Sequence, residues 1–166
     1  RELKQLLSED AKAVVSLLIK NKMTISAAES CTGGMLCAAL TGVPGCSEVL
    51  NAGIVTYSNE AKMKYLGVSE ETLKKYGAVS EDTALQMSAG VKKANCADIG
   101  VGITGIAGPG GGTAEKPVGL VYISVNEIVT KNIFDGNRDE VRRKAVEIAL
   151  SMVRGYIEEN GGIKNG

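Results

Sequence analysis

Histidine is missing from all 166 residues. That absence removes the Ser-His-Asp and Cys-His catalytic arrangements and every His-ligated zinc site, so any base must be a Lys, Tyr, Asp or Glu. Tryptophan is also missing and Phe occurs once, which leaves few platforms for base stacking. Nineteen basic residues balance nineteen acidic ones. The chain therefore has no net field to draw in a phosphate backbone, and no nucleic-acid partner is expected. No apolar run approaches the ~20 residues that cross a bilayer, so no membrane partner is expected either. The four cysteines, Cys31, Cys37, Cys46 and Cys96, lack C-x-x-C spacing. With no secretory n-region and h-region, they read as free thiols of a reducing, cytoplasmic protein.

What is present is ordinary for a globular chain: 44% hydrophobic and 23% charged residues, enough for one core and one domain over 1–166. The sequence opens at Arg1 rather than methionine, which reads as an excised or processed segment with a domain upstream.

Leu6, Leu7, Val14, Leu17 and Leu18 recur at helical spacing, predicting an amphipathic helix over about residues 2–20. Thr24 to Ala28 reads as a strand. From Gly33 the run GMLCAALT is apolar nearly all round and predicts a buried helix that Pro44 and Gly45 end. Asn51 to Tyr57 has the β-branched and aromatic content of a buried strand. Short helices follow, capped by Ser58 or Asn59, by Ser69 and by Ser80, with Gly67 and Gly77 as stops. Ile99 to Ile103 lacks polar alternation and predicts a central strand covered on both faces. VGLVYISVNEIVTKNIF supplies two strands joined near Asn126 and Glu127, and Val141 to Tyr156 marks a last helix. Helices interleave with strands early and strands pair late, which implies an α/β sandwich on a mixed sheet.

The stretch AAESCTGGML places acid, hydroxyl, thiol, hydroxyl and two glycines where a strand passes into a helix. That layout exposes a nucleophile at a sharp turn and aims helix N-terminal amides at the same spot. Ser30 sits at the pivot, and Gly33 and Gly34 permit close approach of backbone to a developing oxyanion. A second reading makes Ser30 or Thr32 simply the helix cap. Cys31 competes as nucleophile but needs an electropositive neighbour to ionise. Glu29 reads as a base or, better, as the acid at the helix start.

With histidine excluded, YSNEAK becomes the place to look for a base. It sets Tyr57 at a strand end and Lys62 one turn into the next helix, both toward the carboxyl edge of the sheet, where Ser30 lies and where open α/β sheets bind ligands. A lysine of ordinary pKa, ~10.4, is a base at pH 7 only if burial or a helix N-terminus lowers it. The alternative is a solvated surface lysine. The loop Thr104-Gly105-Ile106-Ala107-Gly108-Pro109 and the glycines after it match neither a Walker loop nor a dinucleotide fingerprint. It is either a flexible connector or a nest of amides for phosphate or ribose. Arg138 and Arg142 stand four apart at the start of the last helix; Arg142 can offer a fork to a phosphate, or both can belong to a solvated face.

AESCTGG, YSNEAKMKYLGV, GAVSEDTA, GITGIAGPGGGTAEKPVG and GNRDEVRRKA, in that order over nearly the whole chain, resemble the CinA C-terminal domain family, the nicotinamide-nucleotide amidohydrolases. The resemblance implies a three-layer α/β/α sandwich on a five-stranded mixed sheet, similar to anticodon-binding domains. It implies deamidation of nicotinamide mononucleotide to nicotinate mononucleotide and ammonia, with no cofactor and no metal. Ser30 then matches the family's serine nucleophile, Lys62 its base and Tyr57 its tyrosine. Thr32, Gly33, Gly34, Asn59, Thr104, Gly105, Ala107, Gly108 and Arg142 fall to substrate binding. A homodimer and an N-terminal domain similar to molybdopterin-binding proteins are implied as partners. The alternative is a non-catalytic binding or regulatory module of a competence-associated protein.

Overall fold

The structure, a computed structural model, describes residues 2–161. In chain order its elements are α1 (Leu3–Asn21), β1 (Ile25–Glu29), α2 (Met35–Thr41), a 3₁₀ turn at Cys46–Glu48, β2 (Leu50–Val55), α3 (Asn59–Leu66), α4 (Glu70–Tyr76) and α5 (Glu81–Ala94). There follow β3 (Ile99–Gly105), β4 (Leu120–Val125), β5 (Ile128–Ile133) and α6 (Arg138–Asn160). The strands form one sheet in the order β2-β1-β3-β4-β5. β2, β1 and β3 are parallel, and β4 pairs antiparallel with both β3 and β5. Parallel neighbours β1 and β2 end at the same edge, and this brings residues 30 and 57 to one rim.

Local chemistry sets most boundaries. Ser58, Ser69 and Ser80 each accept a hydrogen bond from an amide three residues on, starting α3, α4 and α5. Asn137 and Glu140 form a capping box at the head of α6. Gly67, at φ 70°, closes α3 in a conformation that costs a side-chain-bearing residue more.

Two apolar clusters flank the sheet. On one face α1, α2 and α6 bury Leu18, Leu36 and Ala149 against Ile25, Val101, Ile103 and Ile123. On the other, α3, α4 and α5 bury Leu66, Leu73, Met87 and Val91 against Ala28. The sandwich of three layers expected from the sequence is therefore present. β3 is central and buried on both faces, as its unbroken apolar pattern predicts.

The two faces of β3 are built differently. Val101 and Ile103 fill the α1/α6 side, whereas Gly100 and Gly102 let α5 lie directly on the strand. A Cβ at Gly102 would stand 2.5 Å from the carbonyl oxygen of Ala84 in α5. Gly102→Ala is expected to lower unfolding free energy by about 2–3 kcal/mol, because backbone cannot give way as a side-chain tip can. Urea melts measure this; a loss below about 0.5 kcal/mol would mean that α5 slides freely on the sheet.

Two expectations are corrected. β2 is the sheet's edge rather than a buried strand: its residues alternate half-buried and exposed, leaving Val55 48% and Tyr57 60% exposed. α2 is apolar all round yet buries only Leu36 and Leu40, since its small residues need no cover and it lies at the periphery of one layer.

Candidate active site

β1 delivers the chain to the sheet's carboxyl edge at Glu29, and the next five residues make a tight turn into α2. The Ser30 amide donates to Ile103 O of β3 at 3.0 Å, which fixes the pivot to the central strand. Gly33 and Gly34, at φ 59° and 101°, complete a turn that a Cβ would strain. Glu29, 1% exposed, reaches forward to cap α2: its carboxylate accepts from the amides of Leu36 and Cys37 at 2.9 and 3.1 Å and from the Thr32 hydroxyl at 2.6 Å. Glu29 is thus the acid at the helix start and is not available as a base.

This cap narrows the set of first-turn amides that can hold an oxyanion. The amides of Leu36 and Cys37 serve Glu29, Gly33 N–H donates to Ser30 O, and Met35 N–H donates to Thr32 O. Among the described residues, the amides of Cys31, Thr32 and Gly34 are the ones in the turn with no backbone acceptor. Arg142 bears on this. Its Nε and Nη2 donate to the carbonyls of Cys31 and Thr32 at 3.0 and 3.1 Å. In a trans peptide the carbonyl and the following N–H point opposite ways, so this grip turns the Thr32 N–H away from the guanidinium. Arg142 does not line the cavity described below; where a counter-charge for phosphate was expected, it braces the turn.

Lys62 enters from α3, four residues past the Ser58 cap. It is 1% exposed, the largest polar side chain so deeply buried. Its Nζ lies 3.0 Å from Ser30 Oγ, 2.7 Å from Thr56 O and 3.4 Å from Tyr57 O. Among the described residues it has no carboxylate partner. Burial pushes its pKa below the ordinary lysine value, with the Cys31 thiol opposing the shift only weakly. An uncharged amine has two hydrogens and one lone pair. The two carbonyls take the hydrogens, so the lone pair is left for the Ser30 hydroxyl.

Cys31 lines the same cavity, but burial pushes its thiol up to about 11, outweighing the pull of Arg142. It stays a thiol at neutral pH and is the poorer nucleophile of the pair.

Ser30 and Lys62 stand at the floor of a cavity of about 260 Å³. Thr104, Gly105, Ala107 and Gly108 line one wall, so the glycine-rich loop is part of the site. Thr104 itself donates to Ala78 O at 2.7 Å, tying β3 to the Gly77–Ser80 loop. Tyr57 lines the mouth, with its hydroxyl turned away from Lys62 to accept from Arg138 Nη2 at 3.1 Å. Only its carbonyl faces the amine. Thr32, Gly33, Gly34 and Asn59 do not line the cavity. Thr32 is consumed by Glu29, and Asn59 is the exposed first residue of α3, behind the cap made by Ser58.

Sequence reasoning passed over Ala78 and Val79 and gave Arg138 no role beyond a solvated face, yet all three line the site. GAVSEDTA carried a signal, a loop of small residues before a serine cap, without indicating which wall it would form. Among the described residues no group of three or more His, Cys, Asp or Glu is placed to hold a metal ion, and no helix is long and apolar enough to cross a membrane.

The fold recurs in known proteins. Residues 7–157 match the model of the CinA C-terminal domain. A putative competence-damage inducible protein of Acetivibrio thermocellus is 54% identical over 145 residues, which are 85% of this chain and 35% of that protein. Its counterpart in Clostridioides difficile is 51% identical over 151 residues, 89% of this chain and 36% of that protein. The chain thus spans little more than a third of the length of these curated relatives. Among solved structures, the competence/damage inducible protein CihA of Agrobacterium tumefaciens superposes with a TM-score of 0.86 at 42% identity, covering 90% of this chain and 94% of that one. A CinA superfamily protein of Klebsiella pneumoniae gives 0.88 at 33% identity, covering 96% and 99%. With the family model matched over nearly all its length and the same sheet found in solved relatives, this chain belongs to the CinA C-terminal domain family.

Proposed function

We propose that the domain is an amidase that deamidates nicotinamide mononucleotide to nicotinate mononucleotide and ammonia, with Ser30 as nucleophile and Lys62 as base. One observation carries the reading: a lysine buried without a carboxylate, its Nζ 3.0 Å from a serine hydroxyl at the floor of a cavity. Burying an unpaired amine is costly, and a module that only binds has no use for that cost. This disfavours the regulatory alternative.

The steps follow from the geometry. The Lys62 lone pair takes the Ser30 proton as Oγ bonds to the carboxamide carbon, and the C=O electrons move onto oxygen. The resulting ammonium, next to the new oxyanion, and the free amides of the turn stabilise that charge. Collapse breaks the C–N bond as Lys62 returns the proton to the leaving nitrogen, which departs as ammonia. Water then attacks the acyl ester, giving one proton to Lys62, and the carboxylic acid leaves as Ser30 regains its own proton. Arg142 fixes the turn's peptide planes throughout, while Thr104 and the glycine loop shape the wall against the nucleotide. The same reading carries a homodimer; it also carries an N-terminal molybdopterin-binding-like domain, for which the greater length of the relatives leaves room.

The test is stoichiometric release of ammonia and nicotinate mononucleotide from nicotinamide mononucleotide; a wild-type protein with no turnover defeats the proposal. Cys31→Ala is expected to keep kcat within about threefold, because a protonated thiol takes no part. If that variant is inactive, the nucleophile is the thiol and the roles must be reassigned.

A further inference from the structure

We propose that Arg138, held at the cavity mouth by Tyr57 and Gly108, is the residue that binds the anionic end of the substrate and selects a phosphorylated nucleotide over its nucleoside. The inference rests on the amidase reading for the identity of the substrate and on the following geometry for the residue.

The cavity lining contains two basic side chains, Lys62 and Arg138, and no carboxylate. Lys62 lies at the floor beside the reacting hydroxyl, so Arg138 is the cation available to the far end of a ligand. Its guanidinium donates from Nη1 to Gly108 O at 2.8 Å and from Nη2 to the Tyr57 hydroxyl at 3.1 Å. Both acceptors are neutral. The acids on the same helical turn are occupied elsewhere: Asp139 pairs with Arg143 at 2.8 Å, and Glu140 accepts from the Asn137 amide at 3.2 Å. A guanidinium has five N–H donors in a planar fork. Two are spent on orienting the group, and its charge is uncompensated by any carboxylate among the described residues.

That arrangement is unusual for a side chain that merely coats a surface. A solvated arginine has no reason to be tied at both ends of its fork to two separate parts of a cavity lining, Tyr57 after strand β2 and Gly108 in the glycine loop. The two ties fix the direction of the remaining N–H groups, so less freedom is lost when they close on a phosphate. Tyr57 is then a positioning residue for the anion site, acting through Arg138. Arg142, one turn further along α6, is excluded from this role because it is committed to the carbonyls of Cys31 and Thr32.

The experiment compares the wild type with Arg138→Ala, Arg138→Lys and Tyr57→Phe on nicotinamide mononucleotide and nicotinamide riboside, and measures binding of inorganic phosphate by calorimetry. Arg138→Ala is expected to raise KM for the nucleotide about 30-fold, equivalent to about 2 kcal/mol. It should leave kcat within about twofold, leave the riboside unaffected and abolish phosphate binding. Arg138→Lys should recover part of the loss, and Tyr57→Phe should raise KM about threefold with the same selectivity. Unchanged KM and phosphate affinity in Arg138→Ala overturn the proposal, as does an equal loss on both substrates, which is the mark of a purely structural brace. The two readings fail separately. Phosphate binding lost in Arg138→Ala, in a protein that turns over neither substrate, upholds the anion site and defeats the amidase; turnover with unaltered phosphate binding does the reverse.

Discussion

Lys62→Met lowers ammonia release at pH 7 by about 10⁴-fold while leaving a folded and more stable protein. The loss follows from removing the amine whose lone pair faces the Ser30 hydroxyl, the carbonyls of Thr56 and Tyr57 that hold its hydrogens being unable to accept that proton productively. The gain in stability follows from the same burial. Methionine fills a similar volume and needs no solvation, whereas the amine is 1% exposed and unpaired. The folded pKa is depressed below 10.5, so between that lowered value and the unfolded one the unfolded chain binds more protons. Wild-type stability therefore rises with pH across that window and Lys62→Met flattens the rise. Activity in the wild type also climbs with pH as the amine loses its proton, with a midpoint below the ordinary lysine value. A pH–rate profile and thermal melts at two pH values check all three. A variant that keeps full rate, or a profile flat up to pH 10, would place the base elsewhere.

Ser30→Ala abolishes turnover to background, a fall of about 10⁵-fold or more, since no acyl-enzyme can form. Because serine and lysine act as one unit, the double variant Ser30→Ala/Lys62→Met is expected to be no slower than Ser30→Ala alone. Additive losses would show two independent contributions. Mass spectrometry supplies an orthogonal check, as an acyl group trapped from an activated nicotinate analogue should sit on Ser30 in the wild type and be missing from the variant.

The positions of Ser30 and Lys62 were legible because their strands speak clearly. β1 and β2 carry strong apolar patterns, parallel neighbours end at one edge, and a residue just past each end must lie on that rim. The absence of histidine narrowed the base to a residue type that is conspicuous when it follows such a strand. Glu29 was equally readable, since an acid one turn before a helix has a physical reason to cap it.

What stayed hidden depends on where side chains point and on which amides find acceptors. Tyr57 follows a strand that lies at the sheet's edge, and edge position is a property of topology that no local pattern contains. Its hydroxyl was therefore free to turn outward to Arg138. Arg138 and Arg142 share one helical face, and the phase that sends one to the cavity mouth and the other to the turn is set by how α6 packs on the sheet. The set of oxyanion donors was narrowed for a related reason: the first-turn amides look unpaired in sequence, but Glu29 and two backbone carbonyls claim those of Gly33, Met35, Leu36 and Cys37.

The last helix has a mechanical role beyond covering the sheet. Arg138 and Arg142 project from successive turns of α6, about 6 Å apart along its axis, and touch opposite ends of the site: the mouth and the peptide planes beside the nucleophile. One rigid rod thus works as a gauge for ligand length. Any force that shifts the rod along its own direction alters grip and alignment together, whereas a change to one of the two arginines alone alters only one of them.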